Sequence, residues 1–414
     1  MLRNPTKKTD GLLRALALAL LVGYLIFERA PWEDGISAAR AAAERGDCTG
    51  AEARLRRASV EQGETRETDA ALAEALESVG QCFGWRGRHV EAEAVFQHAL
   101  DLRERTHGSD HPSVAAALHA IGWVHSRSGR FVEADRFLQR ALSIRMRLLG
   151  PEHPDTAQTW GELAFLRFRQ ARIDEAEELN RSALRLRERA FGVEHLAVAE
   201  SVNLQGLIRQ AQGRIPEAEL EFERALAIHE RLEDRALAAR LPFDLGGRWL
   251  RPLPALGRDH PDMGAILGNL ASVQVARGRL SEAEQSVGRS IRILEDTLGP
   301  NHPNVGAALS NLGWLYQRQG KTALAESTYA RAIAILEGSL PTEQPELGLA
   351  LQNLASLRAT EHRYPEARRH LERALAILHR TLPRGHPQVH EAQRRLAAFC
   401  RQARDRCDAG PWSG

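Results

Sequence analysis

Arg140-Ala141-Leu142-Ser143-Ile144 runs on into Leu149-Gly150-Pro151-Glu152-His153-Pro154, and the end of that stretch returns as Leu298-Gly299-Pro300-Asn301-His302-Pro303. The His-Pro pair is its marker. His111-Pro112, His153-Pro154, His260-Pro261, His302-Pro303 and His386-Pro387 lie on one ladder with a step of 42 residues, and His195-Leu196 and Gln344-Pro345 fill its remaining slots. Only the step from His195 to His260 departs, at 65 residues. A fixed period of this size predicts stacked repeats, none of which can bury its apolar face alone.

A second motif keeps the same step. Glu91-Ala92-Glu93, Glu133-Ala134-Asp135, Glu175-Ala176-Glu177, Glu217-Ala218-Glu219, Glu282-Ala283-Glu284 and Glu366-Ala367-Arg368 share it, with Ala325-Glu326 as the weakest copy. Seven residues beyond each Ala stands Ala99, Ala141, Ala183, Ala225, Ser290, Ala332 or Ala374. Twelve residues before it stands Gly80, Gly122, Ala164, Gly206, Ala271, Gly313 or Ala355. Small residues at these offsets let two antiparallel helices approach closely, while Leu, Ile and Phe fill the seam. Gly87-Arg88, Gly129-Arg130, Gly213-Arg214, Gly278-Arg279 and Gly320-Lys321 mark the turn between them, where Gly supplies a left-handed C-cap.

The pattern Leu309-x2-Leu312-Gly313-x2-Tyr316, followed by Ala325-x3-Tyr329 and Ala332, resembles the tetratricopeptide repeat, whose ordinary unit is about 34 residues. The longer version, with its His-Pro loop, is similar to the repeats of kinesin light chain and its many bacterial relatives. The likeness covers roughly Asp69 to Pro387. It implies an all-α fold, a right-handed α-solenoid in which the first helix of each repeat lines the concave surface. It also implies protein or extended-peptide binding in that groove, although such repeats serve many unrelated roles. Abundant Ala and the preference for Arg over Lys, which occurs only at 7, 8 and 321, suggest a GC-rich bacterial genome.

Seven full repeats are expected in one elongated domain, each touching only its neighbours. Repeats one to four span 67–234 and five to seven 258–383. A degenerate unit (33–66) precedes them, and a capping helix with a tail (384–414) follows. The insertion at 235–257 contains Leu241-Pro242-Phe243 and Gly246-Gly247-Arg248-Trp249. Pro and Gly break regular structure there, yet the stretch is too apolar for a plain linker. It reads either as an extended helix with a loop packed on its own repeat, or as a partner-binding, membrane-touching or lid element.

Residues 1–32 form a basic segment followed by the apolar run Leu12–Phe27, in which Arg14 is the only charge. Such a run reaches about 24 Å as a helix, against a hydrocarbon core of about 30 Å. Arg3, Lys7 and Lys8 precede it and Glu28, Glu33 and Asp34 follow. The expectation is therefore a single-pass N-terminal anchor with the repeats on the periplasmic side of a membrane. A cleaved signal and a soluble capping helix are the alternatives. Four cysteines, Cys48, Cys82, Cys400 and Cys407, sit in pairs at the two ends of the array. They read as two end-stapling disulfides in an oxidising compartment, or as free thiols in a cytoplasmic protein.

Charge and motif exclude other classes. A net charge of +2 supplies no basic field for nucleic acid. Neither a nucleotide-binding glycine loop, nor HExxH, nor a nucleophile elbow is present, so the chain is not expected to be an enzyme. The His-Pro histidines lie at least one helix-packing distance of about 8–10 Å apart and cannot share a zinc ion that needs ligands at about 2 Å. They read as loop caps; no metal or cofactor is expected. The charged outer faces read as solvated i,i+4 pairs.

The groove positions implied by the resemblance are Trp123, Arg127, Phe165, Phe168, Arg169, Asn203, Asn269, Asn311, Trp314, Arg318 and Asn353. Asn269, Asn311 and Asn353 share one offset in three successive repeats; Ser78, Ala120, Glu162 and Leu204 hold it earlier. An amide both donates and accepts, which suits it to an extended peptide backbone, or simply to bridging adjacent helices. The arginines would favour acidic or carboxylate ligands, or be ordinary surface residues. The expected function is a non-catalytic scaffold for a partner protein, with a cytoplasmic adaptor or the regulatory subunit of an enzyme complex as the alternative. The open ends of the stack also allow self-association.

Overall fold

The computed structural model describes residues 31–61, 66–239, 261–338, 345–383 and 385–402. Among these residues every regular element is a helix, seventeen in all. The degenerate unit is a hairpin of α1 (Pro31–Glu44) and α2 (Cys48–Glu61). Repeats one to four are α3 (Arg66–Trp85) with α4 (His89–His107), α5 (Pro112–Arg127) with α6 (Phe131–Leu148), α7 (Pro154–Arg169) with α8 (Ile173–Phe191), and α9 (Leu196–Ala211) with α10 (Ile215–Ala239). Repeats five to seven are α11 (Pro261–Ala276) with α12 (Leu280–Leu298), α13 (Pro303–Arg318) with α14 (Thr322–Gly338), and α15 (Pro345–Thr360) with α16 (Tyr364–Thr381). The final helix is α17 (Pro387–Gln402).

Each hairpin closes on its small residues. Ala92, Ala134, Ala176, Ala218, Ala283, Ala325 and Ala367 are fully buried, as are Ala99, Ala141, Ala183, Ala225, Ala332 and Ala374. The glycines twelve residues earlier face the largest side chains of the second helix. A Cβ on Gly80 would fall 2.7 Å from Phe96, on Gly206 2.5 Å from Phe222 and on Gly313 2.7 Å from Tyr329. A larger residue there would drive the two helices apart.

Ion pairs between repeats set how one hairpin sits on the next. The last acid of the Glu-Ala-Glu motif reaches forward to a base at the end of the next first helix or in the turn after it. Glu93 takes Arg130 at 2.6 Å, Asp135 takes Arg167 at 2.7 Å, and Glu177 takes Arg209 at 2.9 Å. Glu326 takes Arg358. The second helices are linked as well, Arg140 to Glu104, Arg224 to Glu188 and Arg373 to Glu337, each at 2.6 Å. Many of the outer-face charges are therefore joints between repeats and not solvated pairs within one helix. Both kinds of joint cross the insertion: Glu219 pairs with Arg277 and Arg279, and Arg289 lies 2.8 Å from Glu230. The fifth repeat stacks on the fourth as though the chain between them were of ordinary length. Of the insertion, the residues to Ala239 extend α10; 240–260 lie outside the described residues.

The histidines of the 42-residue ladder cap helices. Nδ1 of His111, His153, His195, His302 and His386 accepts the backbone N–H two residues on, at 3.1–3.2 Å. In a neutral ring this leaves the proton on Nε2. Two of the five spend that proton far away in the sequence. His302 Nε2 donates to the Trp85 carbonyl at 3.0 Å, and His386 Nε2 to the Arg169 carbonyl at 3.2 Å, each across 217 residues. The cluster around Phe131, Leu138 and Leu163 also takes in Leu375, Leu378, Leu382 and Val389. Arg169 lies 3.4 Å from Glu346. An array in which each repeat meets only its neighbours is thus corrected: the stack coils so tightly that a repeat meets the one five places further on.

The expectation of a membrane anchor is also corrected. Among the described residues no helix is long and apolar enough to cross a membrane, because each helix carries a polar face toward water or the next repeat. The run Leu12–Phe27 lies outside them, and placement of the repeats beyond a membrane loses its basis. Cys48 and Cys82 are disulfide-bonded, with Cα atoms 5.6 Å apart, which ties the degenerate unit to the first repeat. Cys400 is disulfide-bonded too, and Cys407 lies outside the described residues.

The closing histidine is pH-sensitive. His302 is 8% exposed; burial, with His89 and Arg86 adding positive charge nearby, lowers its pKa to about 4 against the raising effect of the Trp85 bond. An unfolded or uncoiled His titrates near 6.5. The contact is therefore fully stabilising above about pH 6.5 and loses that contribution as pH falls toward 4. Hydrogen exchange of the Trp85–Arg88 turn, corrected for intrinsic rate, is expected to accelerate over this window. In His302→Asn, which keeps a capping side chain, that acceleration should shrink; equal acceleration in both proteins would contradict the assignment.

Candidate functional site

First helices of neighbouring repeats pack on one another, while second helices pack on the first helices to either side. This puts the first helices on the inner wall of the coil. Along the N-terminal half that wall is charged. Arg187 Nη1 donates to the Ala197 carbonyl and to Ser201 Oγ, both at 2.8 Å, and lies 3.4 Å from Glu200. Arg145 does the same one repeat earlier, to the Asp155 carbonyl and Thr159 Oγ1 at 2.7 Å. Glu200 keeps 54% of its side chain open, yet faces protein from every side of the coil. Burial raises its pKa, opposed by Arg187 and aided by Asp262 and Glu162. His119 is pushed down to about 3 by burial, with Arg145 and Arg187 nearby.

Most of the expected groove residues here are already engaged. Arg127 lies over the Phe165 ring at 4.1 Å and 3.5 Å from Glu162. Trp123 packs on Trp85 with ring centres 5.6 Å apart. Phe165 and Phe168 are half-buried against Ala164, Ala176 and Ile208. Arg169 is committed to Glu346 and its carbonyl to His386. The amide series divides: Asn269 Nδ2 donates to Asn203 Oδ1 at 3.0 Å, a bridge between repeats four and five. Asn353 Nδ2 reaches Ser310 Oγ at only 3.4 Å, and Asn311 is exposed. Trp314 is half-buried between the sixth and seventh repeats, with Arg318 6.0 Å from its ring and exposed.

The structure gathers Asn311 and Asn353 at one place. They share a cleft of about 470 Å³ between α13, α15 and α17, within the size range of ligand pockets. Glu346 and Gln352 come from the seventh repeat, and Gln388, Glu391, Arg394 and Arg395 from the final helix. Glu391 holds Arg394 at 2.8 Å and Arg395 at 2.7 Å, and their hydrogen bonds, Arg395 first, keep its carboxyl below the usual range. Gln352 is 3% exposed, and its buried Nε2 has no hydrogen-bond partner. Sequence reasoning missed Gln352, one residue before Asn353, and the wall supplied by α17. The Arg394-Arg395 pair on a helix already assigned as a cap was the available signal. Among the described residues no cluster of His, Cys, Asp or Glu could hold a metal.

The divided amides make a prediction. Asn269→Ala strands the part-buried Asn203 amide and should lower stability by about 1 kcal/mol, whereas Asn311→Ala, at an exposed position, should leave it within about 0.5 kcal/mol of the parent. Chemical unfolding of both variants checks the order; equal losses would mean that the two amides share one structural role.

Models of the tetratricopeptide repeat match residues 71–147, 125–188, 155–231, 262–338 and 348–388. No curated protein sequence matches the chain. Among solved structures, the apo quorum sensor NprR from B. thuringiensis is 12% identical, with 90% of this chain and 95% of that one covered and a TM-score of 0.57. A Rap protein complexed with competence and sporulation factor is 12% identical, with coverage of 90% and 99% and a TM-score of 0.53. A Podospora anserina kinesin light chain of nearly identical TPR-like repeats is 24% identical, with coverage of 56% and 100% and a TM-score of 0.39. Likeness at these identities speaks for the fold alone. Matched over more than half its length, the chain belongs to the tetratricopeptide repeat family.

Proposed function

We propose that this protein is a non-catalytic scaffold that binds an extended peptide segment of a partner protein along the inner wall of its coil. The segment is anchored in the cleft between the sixth repeat, the seventh repeat and the final helix. Gln352 carries this reading. A buried amide donor without a partner costs about 1–3 kcal/mol; Gln352, whose buried Nε2 has none, is one of the residues lining the cleft, where a turn of its side chain lets an incoming carbonyl satisfy it. Asn311 adds an exposed donor and acceptor on the facing helix, and Asn353 one held by a single long bond. Together they suit the alternating N–H and C=O of an extended chain. Trp314 and Leu349 supply apolar contact, and Arg318 a cation for an acidic side chain or a chain terminus. A Rap protein of related fold is complexed with competence and sporulation factor, in keeping with a binding role for the coil here.

Random peptides displayed on phage and selected on the full chain provide the test. Asn311→Ala and Gln352→Ala should each weaken selected peptides about tenfold, the equivalent of about 1.4 kcal/mol. Val60→Ala, at an exposed site on the second helix of the degenerate unit, should leave affinity unchanged. Full affinity in both cleft variants would contradict the proposal.

A further inference from the structure

One residue across the coil holds two walls of the cleft. The Arg169 carbonyl accepts from His386 Nε2 at 3.2 Å, immediately before the first turn of α17. The Arg169 guanidinium lies 3.4 Å from Glu346 on α15. Glu346 lines the cleft, as do Pro387 and Gln388 at the start of α17. The spacing of these two helices differs from the rest of the stack. Each first helix from α3 to α15 packs on the first helix of the unit before it, whereas no packing of that extent joins α17 to α15. The cleft is that gap. Toward its other end α17 is held within the stack, where Leu396 and Phe399 join a cluster with Ala355, Ala359 and Tyr364. The C-terminal end of α17 is thus fixed by the last repeat, and its N-terminal end by the closure of the coil.

A proton can release the N-terminal end. Both ring nitrogens of His386 are committed, Nδ1 accepting the Gln388 N–H at 3.2 Å and Nε2 donating to Arg169. An added proton goes to Nδ1, destroys the cap and sets a cation against the positive N-terminus of α17. Burial holds the pKa of His386 below its ordinary value against the raising effect of the Arg169 carbonyl bond, and the Arg169 guanidinium adds to the lowering. The other charged groups around it offer a cation little. Glu346 is taken by Arg169, and His379 and Arg380 in the last turn of α16 and His390 on α17 are basic. An uncoiled ring titrates near 6.5, so the contact stabilises fully above about pH 6.5 and loses that contribution as the pH falls toward the lowered value.

We propose that closure of the coil keeps the cleft open, so that a peptide is held while His386 bonds Arg169 and released when that bond breaks. The inference rests on the cleft as the binding site. Without the bond, the N-terminal half of α17 settles against α15, as each earlier first helix settles on the one before it, and the space for the ligand is lost. Binding and closure are then linked in both directions: acid weakens the peptide, and the peptide steadies the coil.

His386→Asn keeps a capping side chain, but one too short to reach across the coil. Peptides selected on the full chain at neutral pH should bind this variant about tenfold more weakly. The parent should lose a similar factor between about pH 7.5 and 5, and the variant much less. Spin labels at Asn304→Cys and His390→Cys, exposed positions on α13 and α17 outside the cleft lining, report the place of α17 with no ligand present. Their separation should shorten in His386→Asn and in acid. Undiminished affinity in the variant overturns the proposal and leaves the cleft standing as the binding site. If no peptide is selected, the cleft reading fails, and the labels alone decide whether closure positions α17; an unchanged separation shows that it does not.

Discussion

Two backbone carbonyls, at Trp85 and Arg169, receive their hydrogen bonds from histidines 217 residues away, and the character of this protein follows from that closure. A stack of hairpins ordinarily has only nearest-neighbour contacts, so its curvature is the sum of many small and compliant angles. Once a repeat touches the one five places on, the sum is fixed. The pitch cannot open without breaking capped and partly desolvated contacts, and the width of the inner wall is set with it. The closing ring must be neutral, since Nδ1 accepts from backbone while Nε2 donates across the turn.

Much of the fold was legible in the chain. The positions of Ala92, Ala99, Gly80 and their counterparts state that two helices approach closely, and the alternation of Gly-Arg turns with His-Pro loops gives their order. The coiling was not legible, because it depends on the angle at each joint, and no single residue encodes that angle. Its traces were present: Glu93, Asp135, Glu177 and Glu219 occupy one offset, and the bases they hold stand at the end of the next first helix or in the turn after it. Read as pairs within a helix, they conceal the joints between repeats. The histidines were recognised as caps through one ring nitrogen; what the other does depends on a neighbour supplied by the coil. The cleft was half legible, through Asn311 and Asn353. Gln352 and the wall from α17 emerged only when the last three first helices were brought together.

The halves of the molecule use one position of the second helix differently. Along the second helices one position holds Arg103, Arg145, Arg187 and His229, then Leu294, Leu336 and Leu378. In the first half, Arg145 and Arg187 bind the first turn of the following helix. In the second half, the leucines fill the space left by Gly264, Gly306 and Gly348, where a Cβ would come within 2.6–2.9 Å of them. The first design lines the wall with Arg127, Glu162, Arg187 and Glu200, most of them already paired. The second puts leucine at this position in place of arginine, and the amides of Asn311 and Gln352 stand beside it in the cleft with hydrogen bonds to offer.

The closure of the coil is tested most directly by the distance between spin labels at Arg86→Cys and Asn304→Cys, two exposed positions beside the His302 contact. A closed coil predicts a single short separation at neutral pH, with the label linkers as the main source of spread. Five repeats stacked without closure would part the labels by at least five helix-packing distances, about 40–50 Å. A distribution centred there would contradict the account of the coil and of the wall it shapes.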